Sequence, residues 1–198
     1  MAIKSNELET EQRAGAFIVR FVRPEIRNPL SLTVLEQLEN ILSDISDREE
    51  IGNVVFTGCD GSFASGADLR EIAAVATKTA PEFARRGQRL MRRVADMPQK
   101  TIAAINGFCF GGALDLALAC DVRIASQSAQ FAHPGTSLGI ITGWGGTQRL
   151  PRLVGRTNAL EMFFTAEAIG ADRAFQIGLV DLVADDILRN ELLNIDGD

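Results

Sequence analysis

Two segments rich in small residues stand where a strand is predicted to end and a helix to begin. They read FASGADLR over residues 63–70 and NGFCFGGALD over residues 106–115. Glycine lets a backbone approach a ligand closely, and the first N–H groups of a helix have no partner within that helix. If the segments converge, their N–H groups would hold the oxyanion that develops on a thioester carbonyl. The alternative is that the glycines serve only tight turns and helix–strand packing.

A phosphate is another ligand that helix starts attract, but the motifs do not fit one. The sequence has no Gly-Lys-Ser/Thr of a P-loop, and Gly107-x-x-x-Gly111-Gly112 differs from the dinucleotide fingerprint GxGxxG.

Asp115 is the residue with the clearest chemical potential. It stands three residues after Gly112, in the first turn of a helix that is otherwise apolar. One interpretation is a carboxylate that only stabilises the helix start. The other is a general acid/base facing an apolar pocket, where loss of solvent would raise its pKa and the helix N-terminus would lower it. The residues alone leave both interpretations open.

The elements that must position these residues alternate between strands and helices. Apolar spacing predicts strands over 16–21, 54–57, 101–105, 122–125, 130–132 and 179–183. It predicts helices over 34–45, 81–97, 114–120, 158–164 and 172–176, and one after residue 68. Capping boxes are predicted at Thr33-x-x-Glu36 and Thr79-x-x-Glu82. No repeat or linker interrupts this order, so we expect a single α/β domain over residues 1–198.

Composition restricts the classes of function. A net charge of −6 argues against a nucleic-acid partner, which requires a concentrated basic face. No apolar run approaches the roughly 20 residues that span a bilayer, and the polar start predicts no secretory signal. Three scattered cysteines and a single histidine favour a reducing cytoplasm and offer little from which to build a zinc site. We therefore expect a cytoplasmic protein without membrane, metal or nucleic-acid binding.

The two segments belong to a longer series of motifs that resembles the enoyl-CoA hydratase/isomerase (crotonase) family. The series comprises FVRPEIRNPLS (21–31), FASGADLRE (63–71), AAINGFCFGGALDLALACDVRIAS (103–126) and FAHPGTSLGIITGWGGTQRLPRLVG (131–155). The resemblance extends from about residue 14 to residue 183. It implies a crotonase-like spiral of ββα units, with the family's C-terminal helical region largely missing. Residues 184–198 form a short acidic end instead.

The resemblance also implies a site. The N–H groups of Ala67 and Gly112 match the family's oxyanion hole, and Asp115 matches the first of two catalytic glutamates. Asp68 could equally cap a helix, and Arg70 could be a solvated helix residue. Coenzyme A enters as part of the substrate, so no separate cofactor is expected. The positions expected to contact the acyl-CoA are Ser65, Gly66, Ala67, Asp68, Leu69, Arg70, Gly111, Gly112, His133 and Gly135.

The sequence departs from the family at two acidic positions. Gly135 stands where hydratases carry the second glutamate, and Gly143 matches a position where some relatives place an aspartate. His133 could fill this gap because histidine transfers protons near neutral pH, or it could be an ordinary hydrogen-bonded residue at a strand end. One matched acid fits a one-base isomerase at least as well as a hydratase.

Three functions follow from these residues. The first is an enoyl-CoA hydratase or isomerase that uses Asp115 as general acid/base and stabilises a thioester enolate. The second is a non-catalytic acyl-CoA-binding homologue, favoured by Gly135 and the short end. The third is another thioester reaction of the fold, such as hydrolysis or decarboxylation. The resemblance further implies a homotrimer or a dimer of trimers, an assembly that the short end puts in question.

Overall fold

A six-stranded sheet forms one layer of the protein. The computed structural model describes residues 6–13 and 15–188. The first two strands of the sheet are antiparallel and each later neighbour is parallel. β-branched and apolar residues dominate the inner strands, as expected where both faces are covered. In spatial order the strands are β1 (Leu8–Arg13), β2 (Ala16–Phe21), β3 (Asn53–Thr57), β5 (Lys100–Ile105), β7 (Val122–Ala125) and β10 (Leu182–Val183).

A smaller sheet lies beside it and carries the site. Its strands are β4 (Ser62–Ala64), β6 (Phe108–Phe110), β8 (Gln130–Ala132) and β9 (Ile169–Gly170), in that order. The first three are parallel, and β9 runs antiparallel to β8. The chain passes three times from a strand of the large sheet to a strand of the small sheet and then to a helix. This order is the spiral of ββα units that the resemblance implied.

In the described part of the chain, six α-helices cover the sheets. Helix α5 is interrupted at Gly155, whose φ of +80° is outside the helical range. Short 3-10 turns occupy Pro24–Ile26 and Pro134–Leu138. The helices are α1 (Leu32–Ile45), α2 (Leu69–Ala74), α3 (Ala80–Ala95), α4 (Gly112–Ala119), α5 (Gly146–Thr165) and α6 (Ala171–Gln176).

The caps of two helices differ from the sequence prediction. Helix α1 begins earlier than predicted, and the hydroxyl of Ser31 accepts a hydrogen bond from the N–H of Val34. The predicted box at Thr33 is therefore wrong, because Thr33 already lies inside the helix. The side chain of Thr79 makes no cap hydrogen bond to α3 and bonds instead to the backbone of Ala76. The second predicted box is also wrong.

The remaining element predictions differ mainly at their ends. Strands β2, β7 and β8 have the predicted bounds. Helix α5 begins twelve residues before the predicted residue 158, since its first half contains glycine and proline that obscure the apolar spacing. The last strand is limited to Leu182–Val183. The sequence analysis missed β1, β4, β6 and β9, of which the last three have only two or three residues.

The core lies on both faces of the large sheet. One cluster fills the space between this sheet and the helices, with the six apolar residues of α1 pointing into it. A second cluster covers the opposite face, where Ile18, Val55, Ile102 and Ile124 are almost fully buried. Ile187 and Leu188 pack onto this face. The first part of the predicted acidic end, up to residue 188, therefore contributes to the core, and residues 189–198 lie outside the described part of the chain.

Candidate active site

Three parallel strands of the small sheet end side by side, and each is followed by residues of the candidate site. Ala64 of β4 is paired with Cys109 of β6, and Phe110 of β6 is paired with Ala132 of β8. The residues after these three strand ends are therefore brought to one edge of the sheet. Ligands of α/β folds bind at such carboxyl ends. The predicted segments 63–70 and 106–115 thus converge, and residues 133–135 join them.

The backbones of the first two segments are in close contact. A Cβ atom added to Gly66, which has a φ of +85°, would lie 2.7 Å from the nitrogen of Gly112 and 2.7 Å from the carbonyl oxygen of Phe110. Only glycine permits this approach. Gly112 is the first residue of α4, so its N–H has no partner within the helix. No described residue accepts a hydrogen bond from that N–H or from the N–H of Ala67.

Asp115 is completely buried one turn into α4 and lines the same pocket. The hydroxyl of Thr142 donates a hydrogen bond to its Oδ2. Its Oδ1 has no hydrogen-bond partner among the described residues. Burial raises the pKa of Asp115 from 3.8 to about 6, against the opposing effects of Thr142 and the nearby backbone N–H groups of Trp144 and Gly146. The carboxyl group is therefore mostly ionised at neutral pH, and its pKa is close enough to this pH for it to accept and return a proton.

His133 faces this carboxylate from the end of β8. Its Nε2 lies 3.6 Å from Oδ1 of Asp115, and its ring packs 5.0 Å from the ring of Phe163. Neither ring nitrogen has a hydrogen-bond partner in the described part of the chain. Burial lowers the pKa of His133 to about 4, so the imidazole is neutral near pH 7. The imidazole is therefore neutral and faces the carboxylate of Asp115, and a role for His133 in proton transfer stays a prediction.

The two glycines at the acidic positions of the family differ in the space around them. A Cβ atom on Gly135 would lie 2.8 Å from the carbonyl oxygen of Ile140, which is backbone and cannot rotate away. A Cβ atom on Gly143 would meet only the Cβ of Ala84, at 3.9 Å. The 3-10 turn after Pro134 thus closes over Gly135 and leaves no room for a second glutamate in this conformation.

The residues predicted to border coenzyme A divide into two groups. Ser65, Ala67 and Leu69 line the pocket, and Leu69 is more than half exposed at its mouth. Asp68 caps α2 by accepting from the N–H of Arg70, and its carboxylate also pairs with the Arg70 guanidinium at 2.7 Å. The hydrogen bonds that the Arg70 guanidinium donates to this carboxylate are the main reason that the pKa of Asp68 is lowered. Contact between Asp68 or Arg70 and coenzyme A stays a prediction.

The rest of the pocket is apolar. It has a volume of about 370 Å³ and opens to solvent between the α2–α3 region and the loop before α5. Leu138 and Ile141 are more than half exposed at this opening. The apolar walls are Ile72, Val75, Ala80, Phe83, Leu138, Ile140 and Ile141.

Sequence reasoning assigned no chemical role to three residues of the site. Thr142 orients Asp115, and Trp144 forms part of the pocket wall. Gly146 provides space, since an added Cβ would lie 2.1 Å from Oδ1 of Asp115. The signal in the sequence is the density of glycines over residues 139–146, a pattern that assigns no role to a particular residue.

Two further findings concern residues 6–13 and 15–188. In these ranges there is no group of three or more metal-binding side chains close enough to hold an ion. None of the helices described there is long and apolar enough to cross a bilayer.

The chain is similar to known proteins in sequence and in structure. A family model described as enoyl-CoA hydratase/isomerase matches residues 11–195. The chain is 39% identical over 184 residues to a protein of Syntrophomonas wolfei named crotonyl-CoA hydratase, covering 92% of this chain and 70% of that protein. It is 38% identical over 190 residues to the short-chain-enoyl-CoA hydratase of Clostridium acetobutylicum, covering 96% and 72%.

Solved structures give the same result for the fold. The enoyl-CoA hydratase of Bacillus anthracis superimposes with a TM-score of 0.87 at 37% identity, covering 94% of this chain and 72% of that one. Pseudomonas aeruginosa DspI superimposes with a TM-score of 0.86 at 35% identity, covering 91% and 74%. The fold class predicted from the motifs is confirmed.

Proposed function

Because this chain belongs to the enoyl-CoA hydratase/isomerase family, we propose that it transfers protons next to the carbonyl of an acyl-CoA thioester, with Asp115 as the general acid/base. The motifs predicted an enoyl-CoA hydratase or isomerase, and this is the enzyme class of the family. One observation carries the assignment of Asp115. Its carboxylate is buried and lines the same pocket as Ala67 and Gly112. Among the described residues, one oxygen of this carboxylate and the N–H groups of Ala67 and Gly112 have no hydrogen-bond partner.

The oxyanion hole would act on the thioester carbonyl. The N–H groups of Ala67 and Gly112 donate to the carbonyl oxygen and stabilise the enolate that forms when its α or β carbon reacts. A buried donor pair is worth more than the same pair in water, and one such donor contributes about 3 kcal/mol to the transition state in other enzymes. No cofactor is required, since coenzyme A arrives as part of the substrate.

Hydration of a 2-enoyl-CoA is the first candidate reaction, because the relatives from Syntrophomonas wolfei and Clostridium acetobutylicum are named hydratases. Asp115 takes a proton from water while the oxygen bonds to the β carbon, and the double-bond electrons move to the thioester oxygen. Asp115 then returns the proton to the α carbon, and the enolate collapses. The neutral imidazole of His133, 3.6 Å from the carboxylate, would hold the water or the proton in the place where hydratases use a second glutamate.

Double-bond isomerisation is the second candidate, and the closure of the turn over Gly135 favours it. Here Asp115 removes a proton from the γ carbon of a 2-enoyl thioester, or from the α carbon of a 3-enoyl thioester, which forms the dienolate. It then returns the proton to the other of these two carbons. This reaction needs only one base, and the pocket contains one ionised carboxylate.

Turnover of butenoyl-CoA isomers by the parent and by Asp115→Asn separates these reactions. A hydroxyacyl product from the 2-enoyl thioester indicates a hydratase, and interconversion of the 2- and 3-enoyl isomers without hydration indicates an isomerase. The variant should lose either activity by several hundredfold or more. Asp172→Asn is the matched control, since Asp172 also lies in the first turn of a helix but is exposed and far from the pocket.

The other two candidate functions predict different outcomes of this assay. Binding of both thioesters without any turnover would contradict the enzymatic proposal and indicate an acyl-CoA-binding homologue. Release of free coenzyme A or of carbon dioxide would indicate hydrolysis or decarboxylation. We propose a homotrimer or a dimer of trimers as the assembly, which light scattering of the purified chain would test.

A further inference from the structure

We infer that Trp144 determines the size of the acyl group that the site accepts, by filling the side of the pocket that faces α3. This inference rests on the proposed function, because it concerns the substrate of the same site. The side chain of Trp144 is buried, and its ring lies 6.0 Å from the ring of Phe83 on α3. Both residues line the pocket that contains Asp115.

A glycine in the middle of α3 makes room for the indole. A Cβ atom added to Gly87 would lie 2.2 Å from Cδ1 and 2.3 Å from Nε1 of Trp144. Glycine inside a helix is less favourable than alanine. Its presence at residue 87 is explained by packing, because the indole occupies the position that a side chain would need. The indole is therefore seated directly against the backbone of α3.

The opposite edge of the indole meets the oxyanion hole. A Cβ atom added to Gly112 would lie 2.5 Å from Cζ3 of Trp144. The indole thus spans the distance from Gly87 of α3 to the residue whose N–H would hold the thioester oxygen. It excludes the acyl group from this space immediately beside the reacting carbons.

The loop that carries Trp144 is attached to α3 at a second point. The side chain of Gln88 donates to the carbonyl oxygen of Gly143 at 2.8 Å. Arg149, in the first turns of α5, reaches the carbonyl oxygen of Met91 at 3.3 Å. These contacts on both sides of Trp144 attach the region to α3 and oppose a movement of the loop when a larger acyl group enters.

The other walls have an apolar character that suits an acyl chain. Ile72, Val75, Phe83 and Ile140 line the pocket without a charged side chain among them. A hydrophobic pocket discriminates by the volume it leaves, and one methylene changes the rate constant by about 10- to 200-fold. The parent should therefore prefer short acyl groups, and the limit should move when the indole is shortened.

The test is a series of 2-enoyl-CoA thioesters from butenoyl to dodecenoyl, assayed with the parent, Trp144→Phe and Trp144→Ala. We expect the ratio of kcat/KM for octenoyl to that for butenoyl to rise at least about tenfold in Trp144→Ala, with Trp144→Phe between it and the parent. Gly87→Ala should change the ratio in the opposite direction, because its methyl group pushes the indole into the pocket.

Leu42→Ala is the matched control for loss of packing. Leu42 is a fully buried residue of α1 outside the pocket, so this variant should be less stable while keeping the ratio of the parent. An unchanged ratio in a folded Trp144→Ala, or an equal change in Leu42→Ala, would overturn the inference. A parent that neither converts nor binds any thioester of the series, measured by calorimetry, would instead overturn the proposed function and this inference with it.

Discussion

Replacing Asp115 by asparagine should remove activity and at the same time stabilise the protein. The reason is the burial of the carboxylate, which raises its pKa from 3.8 to about 6 in the folded chain. Holding the group ionised near neutral pH therefore costs the folded state about 2 pKa units, or ~3 kcal/mol. Asparagine has the same shape without the charge. Its amide can keep one hydrogen bond with the Thr142 hydroxyl, which is able to accept as well as donate.

The sign of the pH dependence follows from the same values. Between about pH 4 and pH 6 the unfolded carboxyl is already ionised while the folded one still holds its proton. The unfolded state binds fewer protons, so the free energy of unfolding of the parent falls as the pH rises through this window. Below about pH 4 both states are protonated, and the parent and Asp115→Asn should have similar stability.

Urea unfolding of the two proteins across this pH range measures the effect. Near neutral pH we expect Asp115→Asn to be about 2 to 3 kcal/mol more stable, which corresponds to a rise in Tm of roughly 5 to 10 °C for a chain of this size. Asp68→Asn is a control of opposite sign, because hydrogen bonds from Arg70 lower the pKa of Asp68 and its ionised form stabilises the fold. Equal or lower stability of Asp115→Asn at neutral pH would refute the argument from burial.

Four further predictions concern the same pocket. The kcat/KM of the parent should fall about tenfold per pH unit below pH 6, as measured by a pH–rate profile, because the proposed base Asp115 must be ionised. Gly146→Ala should lower kcat about a hundredfold in a protein that still folds by circular dichroism, since its methyl group would lie 2.1 Å from Oδ1 of the carboxylate. Gly135→Glu should lose about 1 to 3 kcal/mol of stability in urea unfolding, because its side chain would press against the Ile140 carbonyl. Gly143→Asp should fold like the parent, since an added Cβ has room there. Its negative charge should raise the midpoint of the pH–rate profile by repelling the ionised Asp115. A stable, faster Gly135→Glu would contradict this account of the turn.

The sequence by itself determined the features that depend only on residues close together along the chain. The junctions at residues 63–70 and 106–115 could be located because small residues follow an apolar strand and precede a helix, which is a local pattern. The same holds for Asp115, whose position in the first turn of α4 follows from its distance to Gly112. The order of these motifs was also sufficient to predict the family, which the match over residues 11–195 shows.

The tertiary structure decided which distant residues meet. His133 is eighteen residues from Asp115 in the sequence, and the two face each other only because β6 and β8 are paired in register. Trp144 contacts Gly87 and Gly112 through a loop whose glycine-rich sequence is compatible with many conformations. Steric exclusion and desolvation both depend on atoms contributed by remote parts of the chain. For this reason neither the missing room at Gly135 nor the raised pKa of Asp115 could be predicted before the strands were assembled.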